Sequence, residues 1–517
     1  MFKGKMRLID FFDRGVSLDP YRPCLVDCSS TQTFRDVQLL THRIGNLLVS
    51  NGIKPEMVGA VLSHNDVTAF VCILGILRAG GAWMPLNARN SSEDNIKILV
   101  DNDCRWIFYH SSFAGAVTEF RMQVPSLQGF VCIDRLNGGD PDFSDWVAQA
   151  SDEVCSIPGG PHGIASIWPS GGTTGRSKGV MLTNLNFETM IASFITSMPV
   201  SEPPVHLIAA PMTHAAGCIA FPLLALGATQ VVVPNADPLG IMSAIEQYKI
   251  TTLFLPPTVI YMMLGHPQVR NFDYSSLKYF VYAAAPMSAK KLQEAIEIFG
   301  PVMAQTFGQA EALMLCTFMS PKEHIVGDEK RLTSCGRATI FTQLEIMDDD
   351  GNVLPPNERG EIVVRGNLVM KGYYKNSEAT EEAGRFGWHH TGDIGMKDEN
   401  SYVYIVDRKR DMIVSGGFNI YPSEIEQIIW SHAAVEDCAV VGVPDEKWGE
   451  AVKAIIQLKA GAAVNADDLA DYCRQRLGGM KTPKSFEFWE ELPRSAVGKV
   501  LKRSIRDRFW IGQKRNV

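Results

Sequence analysis

Ser170-Gly-Gly-Thr-Thr-Gly-Arg-Ser-Lys-Gly179 packs four glycines, four hydroxyl side chains and two cations into ten residues. Glycine lets backbone amides come close to an anion, Ser and Thr add donors, and Lys178 adds a point charge. The stretch therefore reads as a cradle for a polyphosphate. Its spacing is not that of a P-loop, in which Gly-Lys is followed by Ser or Thr, because Lys178 sits between Ser177 and Gly179. A plain Gly/Ser/Thr surface turn has the same composition, so the rest of the chain must decide between them.

Outward from this loop, the first 400 residues alternate short apolar or β-branched runs with amphipathic stretches, the pattern of a doubly wound α/β protein. Val58–Leu62 reads as a strand, 66–79 as a helix and 85–89 as a loop. The rhythm returns with a helix over 237–247 and a strand over 250–255. Strands over 344–346 and 361–365 flank Asp348-Asp-Asp-Gly-Asn352, a hairpin turn by its Asp-Gly pair. From Pro203 to Ala236 there is no charged residue, long enough to span a bilayer, but Pro211, His214, Gly217, Pro222 and Gly227 interrupt it. A buried strand–helix–strand unit is the expectation, with strands over 206–210 and 229–233.

The chain of 517 residues exceeds one compact core, and 46% apolar with 21% charged residues is ordinary for a globular protein. A net charge of −8 offers no electrostatic footprint for nucleic acid or an anionic membrane. Eleven cysteines, scattered and without a CxxC pair, argue against a disulfide framework or a zinc site and for a reducing, cytoplasmic setting. The N-terminus lacks the apolar core of a signal peptide. Around Asp407-Arg-Lys-Arg-Asp411 the character changes. Five charged residues between apolar runs predict an exposed connection, followed by a small α+β domain with helices over 423–430 and 466–477 and strands over 438–443 and 451–458.

Five strings occur in order. They are the loop above, Gln305-Thr-Phe-Gly-Gln-Ala-Glu311, Trp388-His-His-Thr-Gly-Asp393, the 407–426 segment with Ser415-Gly-Gly-Phe-Asn-Ile-Tyr-Pro422, and Pro493-Arg-Ser-Ala-Val-Gly-Lys499. Together they resemble the adenylate-forming superfamily of acyl-CoA synthetases, luciferases and peptide-synthetase adenylation domains, over nearly the whole chain. The resemblance implies a large N-terminal domain, 1–409, of two α/β sheets plus a distorted β-barrel, and a small mobile α+β C-terminal domain, 410–517. It implies ATP, Mg²⁺ and coenzyme A as cofactors and a carboxylic acid as the other small-molecule partner. No nucleic acid or integral membrane segment belongs to this reading, and a homodimer is compatible with it.

By the same resemblance, Ser170, Gly171, Gly172, Thr173, Thr174, Gly175 and Lys178 hold the β- and γ-phosphates, with Ser177 where the family usually has proline. Glu311 holds Mg²⁺, a hard cation that takes carboxylate and phosphate oxygens. Ala310 replaces the family's usual threonine, a loss of about 1 kcal/mol of phosphate binding. Ala284, Ala285 and Pro286 pack on adenine with Phe307 on the other side, and Gln305, Thr306 and Gly308 belong to the same nucleotide site. Asp393 accepts from the ribose hydroxyls, Arg408 reaches the same ribose, and Arg410 is the hinge. Gly416 and Gly417 line the pantetheine tunnel. Lys499 carries the sharpest expectation: a cation between an attacking carboxylate and the α-phosphate lowers an anion–anion barrier. His214 is a gate between ATP and acyl pocket, and the acyl pocket comprises His214, Ala283, Thr306, Leu313 and Met314. With no cation there to pair a second carboxylate, the acid is expected to be a medium-chain or aromatic/alicyclic monocarboxylate. Two alternatives stand beside acid–CoA ligase: an enzyme loading a carrier protein, and a catalytically silent nucleotide or acyl binder.

Overall fold

Alternation of β-branched runs with helices becomes sheets flanked by helices in the computed structural model, which describes residues 6–135, 139–170, 177–416, 418–494 and 500–511. The chain divides into two compact units. One comprises Met1–Leu344 with Val364–His389, the other Glu345–Val363 with His390–Val517.

The first unit holds two sheets. The nine-stranded sheet has a parallel centre, in which Val205–Ile208, Thr229–Val232, Thr252–Leu255, Tyr279–Tyr282 and Met303–Phe307 lie side by side, and antiparallel edges. The seven-stranded sheet pairs Ala82–Pro85, Val58–Leu62, Trp106–Tyr109 and Gly129–Cys132 in parallel, then turns antiparallel through Ile164–Ser170, Lys178–Thr183 and Gly372–Tyr373. Helix Val67–Arg78, VTAFVCILGILR, has almost no polar face and is buried nearly all round, as such a sequence requires. Asp66 caps it by accepting the Ala69 N–H. A Cβ on Gly75 would lie 2.3 Å from the Ile44 side chain, so the contact between this helix and Phe34–Ser50 depends on the missing methyl. The charge-free stretch is the expected strand–helix–strand unit, Val205–Ile208, Ala215–Ala225 and Thr229–Val232. No helix among the described residues is long and apolar enough to cross a membrane.

Gln343–Met347, Gly360–Arg365, His389–Lys397 and Val403–Arg408 form a four-stranded sheet that lies mostly in the second unit. Where the sequence reading expected a distorted barrel, the described strands follow an open path and group with the residues after them. The Asp-Gly turn is present, closed by Asp348 N–H to Asn352 O at 3.0 Å. Beyond it, Ile413–Ser415, Phe418–Ile420, Val435–Asp445, Gly449–Leu458 and Ser485–Phe488 make a second sheet, covered by helices Pro422–Trp430 and Ala466–Lys481.

The charged run is not an exposed connection. Its first residues complete the strand Val403–Arg408, and Asp407 is buried, accepting the Ser423 N–H at 2.8 Å. Lys409 bridges Asp349 at 2.6 Å and Glu361 at 3.1 Å, while Asp411 takes Arg506 at 3.3 Å. Charge density alone does not separate a solvated turn from a run whose partners arrive from distant sequence.

Candidate active site

The glycine-rich stretch is the connection of an antiparallel pair. Ser170 ends one strand, Lys178 opens the next, and the two face each other in register. Ser177 Oγ donates to Ser170 O at 2.8 Å and closes the neck. Gly171, Gly172, Thr173, Thr174 and Gly175 lie outside the described residues. A Cβ on Gly179 would fall 1.9 Å from Asn102 Oδ1, which holds this position to glycine where the strand passes the buried Asn102.

Three segments distant in sequence meet at the neck. The short strand Gly372–Tyr373 pairs with Lys178–Thr183, Tyr373 opposite Val180. The Lys178 Nζ lies 4.8 Å from the Tyr373 ring centroid. The same tyrosine donates its hydroxyl to Glu311 Oε1 at 3.0 Å. Burial and the Glu311 charge push the Tyr373 phenol above its ordinary range, so it stays protonated and donates. Met370 N–H bonds Glu311 O at 2.8 Å, fixing the backbone beneath the carboxylate.

Glu311 projects from a chain reversal after Met303–Phe307. Gly308 has no room for a side chain, since a Cβ would sit 2.4 Å from the Met314 carbonyl carbon. Met314 adopts φ +63°, a left-handed conformation costly for a non-glycine residue. Thr306 supports it: its Oγ1 donates to Met314 O at 2.8 Å and lies 3.0 Å from Thr317 O. Thr306 and Leu313 are buried, and Met314 is half-buried.

At the end of Tyr279–Tyr282, Ala283 is buried, Ala284 and Pro286 are exposed, and Ala285 is half-buried. Ala284 has φ +73°, a second non-glycine strain point. Behind this edge the Tyr282 hydroxyl lies 3.0 Å from both Gln305 Oε1 and His324 Nε2, and His324 Nδ1 lies 2.8 Å from Ser320 O. Burial pushes His324 down to about 4, so the ring is neutral at pH 7. Nδ1–H then donates to the Ser320 carbonyl and Nε2 accepts the phenol proton. Phe307 is buried.

His214 precedes helix Ala215–Ala225, with Nδ1 3.0 Å from Thr213 Oγ1. Burial pushes it down to about 4, leaving a neutral ring. Its loop is held by Asn65, which sequence reading passed over. The Asn65 amide donates to Ala209 O, Ala210 O and Val233 O, each at 3.1 Å, and its Oδ1 accepts the Met212 N–H at 2.8 Å. Neither Asn65 nor Tyr373 carries a local signal; both act on chain remote from themselves.

In the second unit, Asp393 and Arg408 sit opposite each other on antiparallel strands, and Arg408 Nε meets Asp393 Oδ1 at 2.6 Å. The aspartate is buried and the arginine part-exposed. Arg410 O accepts from Arg506 at 3.3 Å. Gly416 has φ +58°, and a Cβ there would lie 2.5 Å from the Trp448 ring. Gly417 and Lys499 lie outside the described residues.

Among the described residues no three of His, Cys, Asp and Glu assemble as a metal cluster. Glu311 forms no ion pair with them, so a carboxylate oxygen is open to a cation that draws its other ligands from phosphate and water.

Comparison with known proteins gives two family matches. The AMP-binding enzyme description matches residues 12–374, and the AMP-binding enzyme C-terminal domain matches residues 424–499. The medium/long-chain-fatty-acid–CoA ligase FadD8 of Mycobacterium tuberculosis is 38% identical over 409 residues, 76% of this chain and 71% of that protein. A feruloyl-CoA synthase of an Amycolatopsis species is 32% identical over 501 residues, 96% of this chain and 98% of its own length. The solved structure of the amide bond synthetase McbA from Marinactinospora thermotolerans superposes with a TM-score of 0.89 at 26% identity, covering 98% of this chain and 100% of that one.

Proposed function

The chain belongs to the AMP-binding enzyme family, and from that premise we propose that it is an ATP-dependent acid–CoA ligase working through an acyl-adenylate. The observation that carries this reading is the convergence of Lys178, Tyr373 and Glu311 at the neck of the glycine- and hydroxyl-rich connection. A cation and a carboxylate at one neck suit a nucleotide polyphosphate with its divalent ion.

In the first half-reaction a substrate carboxylate oxygen attacks the α-phosphorus of ATP. The bond to the β-phosphate oxygen breaks and pyrophosphate leaves. In the second, a thiol sulfur attacks the acyl carbonyl, the bond to the AMP oxygen breaks, AMP departs and the thiol proton goes to solvent. Lys178 steadies the departing phosphates, and Glu311 is the residue that would hold Mg²⁺, which supplies charge neutralisation of the phosphates when bound. The roles implied for Asp393, Arg408, Arg410, Gly416, Gly417 and Lys499 belong to this reading.

A medium-chain or aromatic/alicyclic monocarboxylate is the favoured acid. The neutral His214 ring and the apolar Ala283, Leu313 and Met314 offer a second carboxylate no partner. Among the relatives, the feruloyl-CoA synthase is named for an aromatic acid, FadD8 for medium- and long-chain fatty acids and others for long-chain acids, so the relatives span monocarboxylates without selecting the chain length. The acceptor admits a second reading, because an amide bond synthetase shares the fold closely. Pyrophosphate release over a carboxylic-acid library, with CoA, a carrier protein or an amine as acceptor, tests both. Acid-dependent release completed to AMP only with CoA is the expected result. Release with no acid in the library sinks the adenylation reading, and completion only with an amine or carrier sinks the CoA assignment.

A further inference from the structure

Residues 368–375 stitch together two parts of the first unit that are otherwise separate in sequence and sheet. Tyr373 pairs with the strand that Lys178 opens, and Tyr374 N–H bonds Gly179 O at 2.7 Å. On the other side, Leu313 N–H bonds Leu368 O at 3.1 Å, Met370 N–H bonds Glu311 O at 2.8 Å, and Ala312 bridges Val369. The segment is itself clamped. Tyr373 N–H donates to Thr380 Oγ1 at 2.9 Å, and Tyr374 donates its hydroxyl to Asp103 at 2.8 Å. Gly372 stands at φ +144°, and a Cβ there would strike the Thr380 methyl at 2.7 Å.

Tyr373 therefore has little freedom, and its two ends do different things. The hydroxyl reaches one oxygen of Glu311, while the ring face carries the Lys178 ammonium. A carboxylate held by one donated hydrogen bond keeps its second oxygen in a fixed direction for a hard cation. An ammonium over an aromatic face gives up less hydration than one in an ion pair and is left available to a phosphate. A Lys178–Glu311 ion pair would instead consume both charges before ligand arrived.

We propose that Tyr373 is the positioning residue of the phosphate site, its hydroxyl orienting Glu311 toward the divalent ion and its ring holding Lys178 apart from Glu311 and toward the phosphates. The proposal rests on the adenylation reading above. Nothing in the five motifs points to it, because the juxtaposition spans 62 residues to Glu311 and far more to Lys178.

The test is calorimetric binding of ATP to the full chain with no acid present, so nothing turns over, first in EDTA and then with Mg²⁺. In Tyr373→Phe the ring survives and the hydroxyl is gone. Metal-free ATP affinity should stay within about twofold, while the affinity gained on adding Mg²⁺ should drop roughly tenfold, the scale of one charge-assisted hydrogen bond. Tyr373→Leu should also weaken metal-free ATP binding about threefold, through loss of the ring under Lys178. In a Glu311→Gln background, Tyr373→Phe should leave the residual Mg²⁺ gain unchanged. Thermal unfolding of each variant separates folding from positioning. An undiminished Mg²⁺ gain in Tyr373→Phe overturns the proposal, as do equal losses in both variants with and without metal. A wild-type chain that binds no Mg²⁺·ATP overturns the adenylation reading itself.

Discussion

The two units differ in what surrounds their polar site residues, although the first also buries an ion pair, Arg78 with Asp13 at 2.5 Å. In the first, the site-bearing loops are shaped by backbone and neutral hydrogen bonds. Ala284 and Met314 hold left-handed conformations, Thr306 bonds two carbonyls, and four histidines, His42, His206, His214 and His324, are pushed down to about 4, chiefly by burial. In the second, charge does the work. Glu426 is buried against Lys502 at 2.8 Å with Asp407 nearby, Asp411 holds Arg506, and Glu424 is shared between Arg359 and Lys481, each at 2.5 Å. On the proposed adenylation reading, a site that receives a highly charged nucleotide leaves its own charges lightly engaged. A unit with fewer large apolar side chains to bury relies on ion pairs for its internal register.

The largest expected effect comes from breaking a pair in the second unit. Lys502→Met leaves Glu426 buried without its cation and should cost about 3–5 kcal/mol, whereas Lys502→Met with Glu426→Gln should recover most of it. Hydrogen exchange along Val435–Asp445 under urea measures this, and a double variant as unstable as the single one contradicts the contrast. Lys178→Ala, in the first unit, should behave in the opposite sense. Adenylation should fall roughly 10²-fold, the loss typical of one electrostatic group, with the urea midpoint unmoved. A stability loss matching the activity loss would make Lys178 a structural cation like Lys502.

The pH response separates the units next. A histidine depressed from 6.5 to about 4 contributes stability above 6.5 that is lost as pH falls toward 4, because the unfolded chain binds the extra proton. Glu426 is pushed up to about 7 by burial and by the Asp407 charge, against the pull of Lys502. Its contribution is full below 4.5 and is lost as pH rises through 7. Between pH 4.5 and 6.5 the first unit should gain, and the second lose, of order 1 kcal/mol per group as pH rises. Exchange rates in helix Ala215–Ala225 and strand Gly449–Leu458 report the two signs separately; a common sign breaks the comparison. The smallest effect is at Ala284→Gly, where relief of the positive φ outweighs the added unfolded-state freedom by about 0.5 kcal/mol. A fall in the thermal midpoint would show that Ala284 is not strained.

Much of this protein was legible in its residues. The strand Val58–Leu62, the helix capped by Asp66, the strand–helix–strand unit of the uncharged stretch and the Asp-Gly turn all follow from periodicity, capping and turn chemistry, which act within a few residues. The glycine-rich connection and the string ending at Glu311 were visible as motifs, and the roles read into them rest on the family resemblance. Less was legible where a side chain's meaning depends on what arrives from elsewhere. The charged run at Asp407 reads as solvated until Ser423, Asp349, Glu361 and Arg506 are brought to it. Nothing local to Thr306 signals that its hydroxyl bonds the carbonyls of Met314 and Thr317.

Local sequence thus determined which segments become strands, helices and turns, and which residue types the glycine-rich connection carries, since those choices are settled by short-range sterics and hydrogen bonding. Only the tertiary structure decided that Tyr373 contacts both Lys178 and Glu311, that Asn65 ties the His214 loop, and that four strands follow an open path. Strand order and sheet pairing set those neighbours, and pairing across more than sixty residues leaves no periodic trace in the chain.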